Sequence, residues 1–139
     1  LLEASEVYLT ELQPLAFSRD AGVTLMAEPL TPIEPGGPSR IRLRVWLDDG
    51  WHINPHEGVA EGRIATTITC EPPVEVTYPA AVSLPDGQRG YAGETVFDLT
   101  PATGATAGRG LRITLRAQPC DATRCRKASE WIVQVPNMR

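Results

Sequence analysis

The chain has 139 residues, of which 42% are hydrophobic and 22% are charged, a composition typical of one globular domain. The formal net charge of −4 provides no basic surface for nucleic acid, so we expect no nucleic-acid partner. No apolar segment is long enough for a transmembrane helix. The 12 glycines and 13 prolines divide the sequence into short runs, which favours short strands over long helices.

Residues 1–20 are predicted to be a lead-in, and residues 21–139 to be a single β-sandwich domain. A short helix fits residues 1–16, because several leucines fall near one face and Pro14 would end it. An extended lead-in that packs on this domain, or on a preceding one, fits equally well. Since the chain begins at Leu1 without methionine or a visible signal peptide, we expect a mature chain or part of a longer chain.

The clearest strand signal is the alternation of apolar and polar side chains from Arg40 to Leu47. Asp48-Asp49-Gly50 should turn the chain, and residues 51–54 should begin the return strand. Further strands are predicted over residues 22–27, 63–70, 74–78, 94–100, 111–118 and 130–135, with connections over residues 28–39 and 83–93. About eight short strands at this spacing indicate an antiparallel sandwich.

Three cysteines are the residues most able to carry chemistry. Cys70 shares a predicted strand face with Ile64 and Ile68, so we interpret it as a buried, inert thiol. Cys120 and Cys125 stand four residues apart between two predicted strands. A bond across so short a loop would stabilise the fold by only about 2 kcal/mol, which favours a switchable bond or a metal clasp over a structural staple. A permanent small-loop disulfide remains an alternative.

The charged neighbours of the two cysteines differ. Arg124 and Arg126 flank Cys125, and nearby cations lower the pKa of a thiol. Asp121 follows Cys120 and should act in the opposite direction. The sequence therefore predicts Cys125 as the attacking sulfur and Cys120 as the resolving one.

A zinc site is the second interpretation of these cysteines. His52 and His56 are the two histidines of the chain, and two cysteines with two histidines can bind zinc. Pro55 lies between the histidines, so a helical turn cannot bring both rings to one face. We therefore expect His52 to be packed within a strand and His56 to be exposed.

Four segments in a fixed order carry a family resemblance: Asp49-Gly50-Trp51-His52-Ile53-Asn54, Tyr78-Pro79, Tyr91-Ala92-Gly93-Glu94-Thr95-Val96-Phe97 and Gln118-Pro119-Cys120-Asp121-Ala122-Thr123-Arg124-Cys125. Over residues 22–136 the chain resembles the amino-terminal domain of the thiol:disulfide interchange protein DsbD, also called the disulfide bond corrector domain. The resemblance implies an all-β, immunoglobulin-like sandwich in the periplasm or another extracytoplasmic compartment. A cytoplasmic location would follow if the chain were fused to an intracellular thioredoxin-like domain.

The same resemblance implies an electron-transfer function without a bound cofactor. Such domains pass reducing equivalents from a membrane-embedded or thioredoxin-like donor to oxidised partner proteins, through transient mixed disulfides. The chain would then be a component of a protein-disulfide reductase. Carried onto this sequence, Cys125 would form the intermolecular bond and Cys120 would resolve it.

The resemblance also assigns the surroundings of the cysteine pair. Residues 86–93 would be a cap loop that covers the sulfurs, with Tyr91 as the shield and Gly87, Gly90 and Gly93 as hinges. Trp51, His52 and Asn54 match a strand near the pair, and Asp121 and Arg124 lie within the cysteine loop.

Two departures from the family pattern make this site more cationic. Arg89-Gly90 stands where some members carry acidic residues before the cap aromatic, and Arg126-Lys127-Ala128-Ser129 replaces a proline pair. We expect a more oxidising disulfide or a different partner. Because fold does not determine function, a non-catalytic immunoglobulin-like binding domain with a structural disulfide is the alternative.

Overall fold

A computed structural model describes residues 16–30, 40–101 and 110–136. Among these residues there are twelve strands and no helix, and so none that could cross a membrane. The strands are β1 (Ala16–Asp20), β2 (Val23–Leu30), β3 (Arg40–Leu47), β4 (His52–Ile53), β5 (Thr67–Glu71), β6 (Val74–Thr77), β7 (Val82–Ser83), β8 (Arg89–Ala92), β9 (Glu94–Pro101), β10 (Leu111–Ala117), β11 (Pro119–Cys120) and β12 (Ser129–Val135).

Two antiparallel sheets enclose the hydrophobic core. One has the order β1-β2-β3-β9-β6, and the other has the order β12-β10-β5. Alternate residues of their strands are buried, so each sheet contributes one apolar face, as in a β-sandwich. The largest fully buried side chains include Phe97, Leu25, Ile41, Leu43, Leu99, Leu111, Ile113 and Leu115. The predicted all-β, immunoglobulin-like sandwich is confirmed.

Strand β3 lies in the middle of the larger sheet and has the predicted bounds. Its Arg42 and Arg44 lie on the outer face, where acidic residues of the neighbouring strands pair with them. Arg42 forms a salt bridge with Asp98 at 3.2 Å, directly opposite on β9. Arg44 pairs with Glu28 on β2 and with Glu94 on β9.

The predicted lead-in is only partly described. Residues 1–15, where most of the proposed helix would lie, are outside the described residues, as are residues 31–39. Ala16–Asp20 is strand rather than helix, because it pairs with β2 from Ala16↔Ala27 to Asp20↔Val23. The indole N–H of Trp131 on β12 donates to the Asp20 carbonyl at 3.0 Å, which ties this strand to the second sheet.

Several strands, most of them short, differ from the predictions. β4 is not a return strand beside β3, because β3 pairs with β2 and β9 while β4 pairs with β8 and β11. Residues 63–66 are not strand, so β5 begins at Thr67. The predicted loop over residues 83–93 is partly strand. It contains β8 and Ser83, the last residue of β7, which pairs with Arg89 of β8. β2 continues to Leu30, into the predicted connection.

A third sheet, β11-β4-β8-β7, carries the cysteine region. β11 follows β10 after one residue, Gln118, and β8 precedes β9 with only Gly93 between them. Gly93 has a φ of 64°, a backbone angle that side chains disfavour, where the chain passes from one sheet to the other. The small sheet is thus covalently continuous with both large sheets.

Candidate functional site

The register of the small sheet decides which side chains share a face. Cys120 pairs with His52, and His52 pairs with Ala92. Pro119 pairs with Ile53, and Ile53 pairs with Tyr91. Residues directly opposite each other in antiparallel strands lie on the same face. Cys120, His52 and Ala92 therefore form one row, and Tyr91 belongs to the row on the other face.

Cys120 and Cys125 form a disulfide that closes a tight hairpin. Their Cα atoms are 3.9 Å apart and the two residues form an antiparallel bridge. The Asp121 N–H donates to the Arg124 carbonyl, and the Arg126 N–H donates to the Pro119 carbonyl, each at 2.8 Å. The hairpin is therefore fixed by backbone bonds on both sides of the disulfide.

Asp121 fills the hairpin with its own side chain. Its Oδ1 accepts hydrogen bonds from the backbone N–H groups of Thr123 and Arg124, at 2.9 and 2.8 Å, and from the Thr123 hydroxyl. These backbone hydrogen bonds hold the pKa of Asp121 below its usual value. Asp121, which was predicted to lie in the site, therefore stabilises the hairpin. The side chain of Arg124, the other predicted residue of this loop, is exposed.

This lowered pKa predicts a pH-dependent effect of Asp121→Asn. A carboxylate with a depressed folded-state pKa stabilises the fold above its unfolded pKa of about 3.9, and the stabilisation is lost as the pH falls through the folded value. We expect the melting temperature of the oxidised wild type to exceed that of the variant at pH 6, with the gap closing by about pH 2. A gap that is equal at both pH values would contradict this.

The two cysteine residues differ in exposure. Cys120 is 0% exposed, whereas Cys125 is only half-buried. A disulfide is opened by a thiolate that reaches one sulfur, so a partner would reach Cys125 first. This order agrees with the predicted roles of the pair.

An arginine that the sequence did not single out lies against the disulfide. The Arg63 Nη1 is 3.1 Å from the Cys125 sulfur and 3.6 Å from the Cys120 sulfur. Arg124 and Arg126, the two cations that the sequence predicted beside Cys125, are placed differently. Arg126 lies over the Trp51 ring, 4.3 Å from its centre, and also donates to the Ala21 carbonyl at 3.5 Å.

Asn54 and Gln118 hold the segment that carries Arg63. The Asn54 side-chain amide donates to the Ile64 carbonyl at 2.8 Å and to the Gln118 Oε1 at 3.0 Å. The same Gln118 oxygen accepts from the Ile64 N–H at 3.1 Å. The Thr66 hydroxyl donates to the Asn54 carbonyl at 2.6 Å. We call the hydrogen bonds that join Asn54, Gln118 and Ile64 the amide clamp.

His52 is buried beside Cys120, as predicted for a packed strand residue. Its Nε2 atom has no hydrogen-bond partner among the described residues. Burial lowers the pKa of His52, and Arg63 adds to that effect, while Asp86 and Asp121 oppose it. The neutral imidazole is therefore favoured next to the sulfur.

The predicted shielding of the sulfurs by Tyr91 is wrong. Its ring is on the opposite sheet face from Cys120, is 3% exposed and packs edge-on against Phe97 with ring centres 5.5 Å apart. Its hydroxyl donates to the Pro79 carbonyl at 3.0 Å. Gly90 lies within β8 and pairs with Val82, and an added Cβ would lie 2.5 Å from the Ile53 carbonyl oxygen, so glycine permits the close approach of β8 to β4.

The tip of the predicted cap does lie near the cysteine hairpin. A cavity of about 270 Å³ separates Leu84, Pro85 and Asp86 from Ala122, and Trp51 and His52 form part of its wall. The tip is a closed turn in which the Leu84 N–H donates to the Gln88 carbonyl at 2.7 Å. The turn, rather than the aromatic side chain, faces the cysteine loop.

His56 and Cys70 are both placed away from this chemistry. His56 is not exposed as predicted: it stacks on Tyr78 with ring centres 3.5 Å apart, and its Nδ1 is 2.8 Å from the Thr66 carbonyl oxygen. In the described part of the chain, no three His, Cys, Asp or Glu side chains are grouped as metal ligands. Cys70 packs against the core, and burial raises its pKa to about 12.

Comparisons with known proteins relate this fold to two solved domains. The N-terminal periplasmic domain of ScsB from Proteus mirabilis has a TM-score of 0.64 and 18% identity, over 89% of this chain and 52% of that one. The DsbD n-terminal domain from Neisseria meningitidis, in the reduced form, has a TM-score of 0.47 and 12% identity, over 77% and 90%.

No protein-family model matches the chain, and no curated protein sequence does. The chain spans about half the length of the ScsB structure that it matches. At this identity the likeness establishes the fold, which is the kind that the sequence motifs indicated. The chain therefore has an immunoglobulin-like β-sandwich fold, which it shares with the matched half of the ScsB domain.

Proposed function

We propose that this domain is a thiol–disulfide exchange module that works through Cys120 and Cys125. The observation that carries the proposal is the disulfide itself, with a half-buried Cys125 beside the guanidinium of Arg63. A structural staple needs neither a partly exposed cysteine nor a cation against its sulfur. The proposal assigns Trp51, His52 and Asn54 to the walls and support of this site.

The exchange runs in balanced steps. A thiolate of a dithiol donor attacks the Cys125 sulfur, a new intermolecular S–S bond forms, and the electron pair of the broken bond goes to the Cys120 sulfur. The second donor thiolate then attacks the mixed disulfide and releases the Cys125 thiolate. The donor leaves as a disulfide, and two electrons and two protons have entered this domain.

The reverse steps pass the electrons on. The Cys125 thiolate attacks an oxidised acceptor, and the Cys120 thiolate displaces the acceptor from the mixed disulfide. We propose thioredoxin-like proteins or domains as the dithiol partners, met one at a time. Because the ScsB domain is periplasmic, an extracytoplasmic location is the corresponding proposal for this chain. The chemistry requires no bound cofactor.

A redox titration tests this function. The domain is equilibrated in glutathione buffers, and its free thiols are trapped by alkylation and counted by mass. We expect two thiols to appear in one step with a midpoint above about −300 mV, while Cys70 reacts equally throughout. A Cys120–Cys125 bond that stays oxidised well below about −300 mV would instead identify a structural disulfide in a binding domain.

A further inference from the structure

The charge of Arg63 is not matched by the oxidised site. In the described part of the chain, the four salt bridges do not include Arg63, although its guanidinium is part-buried against the sulfurs. A disulfide is neutral and its sulfurs are weak hydrogen-bond acceptors. A cation placed there is stabilised only a little by the neutral disulfide and much more by the negative charge of a thiolate.

One nitrogen of this arginine reaches both sulfurs. Nη1 lies 3.1 Å from the Cys125 sulfur and 3.6 Å from the Cys120 sulfur. When a donor thiolate bonds to Cys125, the negative charge appears on Cys120; when the reduced domain attacks an acceptor, the charge starts on Cys125. The guanidinium is therefore beside the charged sulfur in both directions of exchange.

The amide clamp fixes the arginine relative to the sulfurs. Gln118 is two residues before Cys120, and its Oε1 accepts from both Ile64, the residue after Arg63, and Asn54. The Arg63 N–H also donates to the Ala60 carbonyl at 3.1 Å, which forms a turn. One side chain thus sets the distance between the cation and the disulfide, so little reorganisation is needed when charge develops.

We propose that Arg63 is a catalytic residue of the exchange reaction, which stabilises the thiolate formed on either Cys125 or Cys120. This inference rests on the proposed function and names the group that makes the pair reactive. Other charged or titratable groups around the sulfurs are His52 on β4, Asp86 in the β7–β8 turn, and Asp121, Arg124 and Arg126 in or beside the hairpin. Arg63 is distinguished from these by its direct contact with both sulfurs.

Charge removal at Arg63 tests the inference. The reduced domain is alkylated with iodoacetamide over a range of pH, and the midpoint gives the pKa of the reactive thiol. An opposite charge in contact shifts a pKa by about one unit or more, so Arg63→Gln should raise that midpoint by about one unit. The alkylation rate at pH 7 should fall about threefold, because a tenfold smaller thiolate fraction is partly offset by a more nucleophilic thiolate.

Two further variants separate charge from structure. Arg63→Lys keeps the charge and should recover most of the shift in the midpoint. Arg116→Gln removes an exposed arginine of β10 and should leave the midpoint unchanged. Gln118→Ala, which breaks the amide clamp but keeps Arg63, should raise the midpoint in the same direction as Arg63→Gln. An unchanged midpoint in folded Arg63→Gln would overturn the proposal.

The equilibrium of the disulfide provides a second readout. Because the cation stabilises the thiolate of the reduced form, Arg63→Gln should shift the equilibrium with glutathione about tenfold toward the disulfide, or about 30 mV more negative, when it is measured at a pH above the thiol midpoints of both proteins. The midpoint measurement uses chemically reduced protein, so it remains valid even if the wild-type disulfide proves to be structural. Failure of the proposed function and failure of the role of Arg63 are therefore distinguishable.

Discussion

Replacing Cys120 by serine is expected to leave a reactive thiol at Cys125, whereas replacing Cys125 by serine leaves a thiol that is nearly inert. The reason is accessibility, since Cys120 is 0% exposed and Cys125 is half-buried beside Arg63. If Cys120 reacts only after a local opening that costs about 3 kcal/mol, its rate falls about 100-fold. The measurement is the rate of mixed-disulfide formation with glutathione disulfide, followed by mass.

The product should differ as well as the rate. In Cys120→Ser the mixed disulfide on Cys125 has no resolving thiol and should accumulate, whereas the reduced wild type should pass through it to the internal disulfide. Cys70 is present in all three proteins, and with its pKa raised to about 12 it adds a small, constant background. Faster reaction at Cys120 than at Cys125 would reverse the assigned roles.

Long strands were predictable because their side chains record which face is buried. The alternation from Arg40 to Leu47 gave the bounds of β3 and its core face correctly, and the buried residues of β10 and β12 alternate in the same way. The two-residue strands β4 and β11 are too short to have a period. Their positions depend on pairing partners that are distant in sequence, such as His52 with Cys120.

The site was only half predictable for the same reason. The cysteine pair could be predicted locally, because its two members stand four residues apart in one short stretch, while the order of their reactivity stays a prediction. Arg63 is 57 and 62 residues from the two sulfurs that it contacts, and it stands in a segment whose alternation imitated a strand. Its one signal was a glycine turn at Gly62 that could bring a cation back toward the sheet.

Tyr91 shows most clearly the difference between a motif that the sequence displays and a side-chain position that strand pairing decides. The motif that contains it resembles a cap, but β8 places it one residue out of phase with Ala92, whose row includes Cys120. A shift of one residue in a strand moves a side chain to the other face. The ring consequently became part of the core, between Phe97 and the Pro79 carbonyl.

Tyr91→Ala should therefore behave as a core truncation. We expect the free energy of unfolding to fall by about 3–5 kcal/mol, as for other large aromatic side chains removed from a core. Tyr91→Phe keeps the ring and should lose about 1 kcal/mol with the hydrogen bond to the Pro79 carbonyl. Urea unfolding of the oxidised domain measures both, since the disulfide is then the same in each protein.

The rate at which dithiothreitol opens the disulfide distinguishes a core role from a cap role. A ring on the sheet face opposite Cys120 leaves Cys125 as accessible as before, so the rate in the folded variants should stay within about twofold of the wild type. The comparison variant is Pro85→Gly. It alters the turn that faces Ala122 across the cavity, and so changes the cover over the hairpin and not the core. If Tyr91→Ala kept its stability to within about 1 kcal/mol and its disulfide opened tenfold faster, the ring would be a shield after all and the register of β8 would have to change in solution.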